Sequence, residues 1–193
     1  MYTRSVLDNG LRIVTNAMPH THSVTIGLLV GVGSRYEADD TAGSTHFLEH
    51  LLFKGSRGWP RASDISQAIE GVGGVMNAST DREVTAYWSK VGRSHFERVL
   101  SILLDMLMYP LLDSDEIEKE RQVILEELRM SDDYPSHRVN LLIDQMMWPD
   151  QPMGRDVGGT KESVVRIIRD DLTDLMSYQY TPANVVLSVA GNV

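Results

Sequence analysis

Apolar and polar positions alternate in short runs at the start of the chain and recur with helical spacing through most of the remainder. Asn9-Gly10 lies between two β-like runs and predicts a tight hairpin turn into Leu11 to Asn16. A longer Val- and Leu-rich strand follows from Ser23 to Val32, so three strands open the fold. Gly31-Val32-Gly33-Ser34 breaks that pattern, and the spacing predicts a helix over Thr41 to Lys54, ended near Gly55. A second helix is expected from Ala62 to Glu70, stopped by Gly71-Val72-Gly73-Gly74, and then a hairpin with arms Val75 to Thr80 and Glu83 to Lys90. Arg93 to Tyr109 reads as an apolar-periodic helix ended by Pro110. Ser114 to Ser131 reads as a highly charged helix that continues, with a kink at Pro135, toward Met147. Lys161 to Tyr178 is expected to be the last helix and Asn184 to Ala190 the final strand. Strands and helices mixed without strict βαβ alternation predict an α+β domain, a mainly antiparallel sheet of five to six strands with helices on one face.

One stretch of the first long helix carries chemistry. In His46-Phe47-Leu48-Glu49-His50 the two imidazoles lie one turn apart and Glu49 falls on the same side of the helix, so all three can address one small volume. Two neutral imidazoles suit zinc, and the carboxylate can take a proton from water that the metal activates. The order His-x-x-Glu-His is the inverted form of the zinc-protease motif His-Glu-x-x-His. An ordinary amphipathic helix with two histidines on its polar face would give the same letters, so a third ligand is the deciding feature.

The charged helix offers Glu116, Glu118, Glu120, Glu126 and Glu127 for that role. Glu120 and Glu127 are seven residues apart and share a face, so one can bind metal while the other orients a ligand. Val123 and Ile124 read as neighbours of that face, which makes these two carboxylates partly buried. Helix geometry does not choose among the five, and most charges in such a run are solvated.

Composition narrows the chemistry further. With 193 residues and 42% hydrophobic content the chain can bury the core of a single domain spanning 1–193. A net charge of -9 argues against nucleic acid and favours basic or neutral peptides. There is no cysteine, so any metal must be held by His and carboxylates. No signal-peptide core and no run of the roughly 20 apolar residues of a membrane span is visible, so the expectation is a soluble, cytoplasmic protein without a membrane partner.

These residues together resemble the pitrilysin/insulinase family of inverted zincins, peptidase family M16, in its mitochondrial processing peptidase-like and bacterial processing-protease branch. The resemblance is carried by Gly33-Ser34-Arg35-Tyr36-Glu37, by His46 through Gly55, by Asn77-Ala78, by Glu120-Arg121-Gln122-Val123-Ile124 and by Val189-Ala190-Gly191-Asn192. In that family the third ligand follows the motif after 76 intervening residues, here 51–126, which implies Glu127 with Glu126 as its rival. The resemblance thus implies a zinc ion on His46, His50 and Glu127, Glu49 as general base and Glu120 in support. It also implies a substrate-binding strand at Asn77 and Ala78, and Phe53 is a further candidate for the substrate cleft, though a core Phe would have the same spacing.

Members of this branch are about twice as long, and their second half closes over the cleft and supplies an Arg/Tyr pair toward the substrate carbonyl. The expectation is therefore a fragment, a natural half or an isolated catalytic domain, working with a complementary half as a homo- or hetero-oligomer. Two functions follow: a zinc endopeptidase acting on extended peptides or unfolded segments, or a non-hydrolytic peptide-binding partner subunit.

Overall fold

A computed structural model of the protein describes residues 2–193. Six strands form one sheet: β1 (Thr3–Val6), β2 (Arg12–Ala17), β3 (Ser23–Val30), β4 (Val75–Thr80), β5 (Thr85–Gly92) and β6 (Val185–Gly191). Their spatial order is β1-β2-β6-β3-β5-β4, and every neighbouring pair is antiparallel except β2 with β6. The last strand of the chain is thus inserted between β2 and β3, which places β4 at a free edge. Alternation sets the faces: Val24, Ile26, Leu28 and Val30 of β3 are buried, as are Val185, Leu187 and Val189 of β6, while Thr25 and Leu29 point to solvent. The architecture is α+β with helices packed on the buried face.

Seven α-helices follow that plan: α1 (Ser44–Leu52), α2 (Ala62–Glu70), α3 (Phe96–Met108), α4 (Ser114–Asp133), α5 (Pro135–Met147), α6 (Lys161–Arg166) and α7 (Arg169–Gln179). Helix α1 buries Phe47, Leu48, Leu51 and Leu52 completely or nearly so. Burying each such side chain stabilises the fold by about 1.5–3 kcal/mol, enough to hold the helix with its polar side turned away from the core. Helix α4 starts on Asp113, whose side chain accepts from the Asp115 and Glu116 amides. Arg121 ties α4 to its neighbours: its guanidinium donates to the carbonyls of Val164 and Ile167 and lies 5.4 Å above the Phe47 ring of α1. The two helices that bear the candidate ligands are therefore locked to each other by packing independent of the ligands.

Two helices are divided where the sequence reading runs on. The charged helix ends at Asp133, and Tyr134 is extended (φ -90°, ψ 109°) before Pro135 starts a new helix. The residue before a proline is pushed out of the α region, so the chain breaks rather than kinks. The expected last helix is interrupted at Ile167 and Ile168, both non-helical; Ile167 is fully buried and Asp171 accepts the Ile168 amide at the start of α7. Val123 is exposed and does not share the buried face with Ile124.

Candidate metal centre

The side chains of His46 and His50 project from the polar side of α1 toward α4, and Glu127 of α4 meets them. The His46 Nε2 and His50 Nε2 atoms are 3.3 Å apart, and Glu127 Oε2 lies 3.5 Å from His50 Nε2 and 3.9 Å from His46 Nε2. One donor atom from each of the three residues falls within 4.8 Å of the others. Glu126, one position earlier, points away and pairs with Arg129.

Glu120 occupies the other side of His50. Its Oε2 is 3.1 Å from His50 Nδ1 and its Oε1 accepts from Lys54 Nζ at 2.6 Å. A carboxylate at Nδ1 keeps the proton there and leaves the Nε2 lone pair facing Glu127 and His46. Glu120 is buried, and Lys54 with His50 satisfies both of its oxygens, which removes the penalty of an unpaired buried charge. On His46 the Nδ1 atom is buried without a hydrogen-bond partner. Two imidazole nitrogens and a carboxylate oxygen crowded into one gap, with one tautomer fixed from behind, fit a divalent zinc ion and leave a position open for a fourth ligand.

Electrostatics around the gap favour that occupancy. Burial, with His50 adding to it, depresses the His46 pKa below its ordinary 6.5, against the opposing pull of Glu127 and Asp156. A neutral imidazole is the form that binds metal. The sign for the metal-free chain follows from linkage: the unfolded chain binds the proton more readily, so this histidine's contribution is present above pH 6.5 and lost as pH falls through the depressed value. Thermal melts of metal-free protein are expected to show stability falling below pH 6.5, and His46→Gln to flatten that part of the profile; an unchanged slope in the variant would contradict the assignment.

Glu49 is held apart from the three donors. Thr80 at the end of β4 donates its hydroxyl to Glu49 Oε2. Burial raises the Glu49 pKa, partly offset by the Thr80 hydrogen bond and by His50, which moves a carboxylate toward the range useful for proton transfer. Beside the gap, a cavity of about 400 Å³ is lined by His46, Thr80, Glu127, Leu128, Tyr134 and Asp156.

The remaining sequence candidates are spread around this centre. Asn77 and Ala78 lie on edge strand β4, where the Ala78 amide donates to the Asn77 side chain at 2.8 Å. Phe53 directly follows α1, half-buried against the core, with its ring centroid 6.4 Å from that of Tyr87. Sequence reasoning assigned no role to Thr80 or Lys54, whose contacts with Glu49 and Glu120 are long-range. Near the cavity, His137 Nε2 pairs with Asp156 Oδ2 at 2.7 Å. No spacing rule marks such partners, because they meet only after β4, α1, α4 and the loop at 156–158 have packed.

Two histidines and a glutamate thus converge from adjacent helices on the helical side of a six-stranded sheet, in an arrangement that could hold a metal ion. The chain belongs to the insulinase family, peptidase family M16, which it matches over residues 12–161. It is similar to a Mycobacterium leprae protein described as an uncharacterized zinc protease, 43% identical over 98% of this chain and 42% of that protein. A Bacillus subtilis protein of the same description is 37% identical over the whole of this chain and 47% of its own length. Among solved structures, a protease from Helicobacter pylori superposes over the full chain with a TM-score of 0.94 at 27% identity, covering 47% of that chain. Pitrilysin superposes with a TM-score of 0.89 at 26% identity, covering 21% of its chain. The chain thus spans less than half the length of these relatives. No described helix is long and apolar enough to cross a membrane.

Proposed function

We propose that the chain is the catalytic half of a zinc-dependent endopeptidase that cleaves extended peptides or unfolded segments. The convergence of His46, His50 and Glu127 donor atoms within 4.8 Å, with Glu49 on the same helix set aside by Thr80, carries this reading. His46, His50 and Glu127 would hold the ion, and Glu120 would fix the His50 tautomer. Bound there, zinc would supply Lewis acidity, making a water acidic near neutral pH and polarising a peptide carbonyl. Glu49 takes the proton from the attacking water and returns it to the leaving amine, the role its raised pKa suits. Thr80 keeps that carboxylate oriented by its hydrogen bond to Oε2.

Edge strand β4 would bind the substrate by adding a strand beside it. The Ala78 amide, now turned to the side chain of Asn77, would pass to a substrate carbonyl. Phe53 would contribute to the cleft wall. Ala78→Pro deletes that donor, so the Michaelis constant for peptide should rise severalfold with folding intact; an unchanged value would remove β4 from substrate binding. Glu120→Gln should weaken zinc binding about 10- to 100-fold, as loss of a partner behind a ligating histidine does; chelator competition measures it, and unaltered affinity would contradict the role.

The relatives' greater length supports a requirement for a second half, supplied by a complementary domain or partner chain, to complete the cleft. Hydrolysis of a quenched, basic, unstructured peptide by the zinc-loaded chain, alone and with such a partner, tests the proposal beside a chelated sample. Metal-dependent cleavage in either setting supports the endopeptidase. Zinc binding with no cleavage in both would favour a non-hydrolytic partner subunit.

A further inference from the structure

Glu37 lies outside the three converging donors, yet its carboxylate is built into the start of the helix that carries two of them. The side chain is buried; Oε2 accepts from the Gly43 amide at 2.8 Å, and Oε1 accepts from the Thr45 amide at 2.7 Å and the Ser44 hydroxyl at 3.3 Å. Helix α1 needs this outside partner, because its N-cap is Gly43, which has no side chain to offer. Gly43 adopts φ +92° and packs so tightly against the backbone of Gly158 that no larger residue fits. Glu37 is itself fixed from behind: Arg155 donates to the carbonyls of Glu37 at 2.6 Å and Ser34 at 3.3 Å and also pairs with Asp39.

His46 is the third residue of α1, within the first turn, where unpaired amides make the helix end positive and hostile to a cation. No acidic residue lies in that first turn. The carboxylate of Glu37, bonded to the Gly43 and Thr45 amides, sets a negative charge against that end. We propose that Glu37 is a positioning residue for the zinc centre: it caps α1 from outside the helix, fixes the direction of His46, and sets a negative charge against the helix end from which that histidine projects. The proposal rests on the zinc reading above and adds to it a residue that touches neither the ion nor the substrate.

The test compares zinc affinity with apo stability in the same samples. Glu37→Gln keeps the size of the side chain and one acceptor oxygen but removes the charge. Its zinc dissociation constant, measured on the folded full chain by competition with a chromophoric chelator, should be about 10-fold higher than that of the wild type. A cap that only stabilises the fold would lower the apo melting temperature and leave that constant within about twofold, which would overturn the proposal. Should the variant fail to fold, the wild type alone decides. Coupling is reciprocal, so zinc must slow amide exchange at Gly43 and Thr45; equal exchange with and without zinc would overturn it. A wild-type chain that binds no zinc would defeat the zinc reading itself, whereas tight wild-type binding with unaltered affinity in Glu37→Gln would defeat the role of Glu37 alone.

Discussion

Replacement of Glu49 by Gln is expected to lower peptide hydrolysis by about 10²- to 10⁴-fold, the usual contribution of a positioned general base, while zinc content stays at the wild-type level. The two halves of that expectation come from different contacts. Glu49 is not among the converging donors, so its amide replacement leaves His46, His50 and Glu127 undisturbed. Glutamine can still accept the Thr80 hydroxyl, so the side chain should keep its place, but it cannot take up a proton. Steady-state kinetics on a quenched peptide, in whichever assembly makes the wild type active, separates the outcomes. Substantial turnover by a zinc-loaded Glu49→Gln protein would remove Glu49 from the chemistry.

Removal of zinc is expected to lower the melting temperature by roughly 5–10 °C when the loaded sample holds free zinc near 100 times its dissociation constant. Binding to the folded state alone contributes about 2.7 kcal/mol at that ratio, and a domain of this size shifts by about 2–4 °C per kcal/mol. The same melt on Glu127→Gln should show little difference between loaded and chelated samples. A shift that survives in that variant would mean that zinc stabilises the chain somewhere else.

The placement of these groups was legible in the sequence to different depths, for physical reasons. Local periodicity found the motif helix because Phe47, Leu48, Leu51 and Leu52 fix one side of α1 as core, and the histidines and Glu49 are left on the other. Helical spacing also put Glu120 and Glu127 on one face, but it could not exclude Glu116, Glu118 or Glu126. That exclusion depends on how α4 is rotated against α1, which Arg121 helps to set through carbonyls of Val164 and Ile167, more than 40 residues away. The roles of Thr80 and Lys54 were invisible for the same reason: each acts on a partner brought close by packing, and a single threonine or lysine has no periodic signature. Glu37 meets its partners only six to eight residues on, but through a turn of the chain that carries no periodic pattern. Helix ends were misjudged where one residue overrode a continuing apolar period, at Tyr134 before Pro135 and at the buried Ile167. Insertion of β6 between β2 and β3 leaves no local mark at all, since pairing partners are chosen by the whole sheet.

The most direct test of the account is the zinc stoichiometry and affinity of three proteins measured side by side after dialysis: wild type, Glu127→Gln and Glu126→Gln. One tightly bound zinc per chain in the wild type and in Glu126→Gln, with binding lost in Glu127→Gln, is the predicted result. Retention of the ion by Glu127→Gln, or its loss from Glu126→Gln instead, would contradict the centre described here.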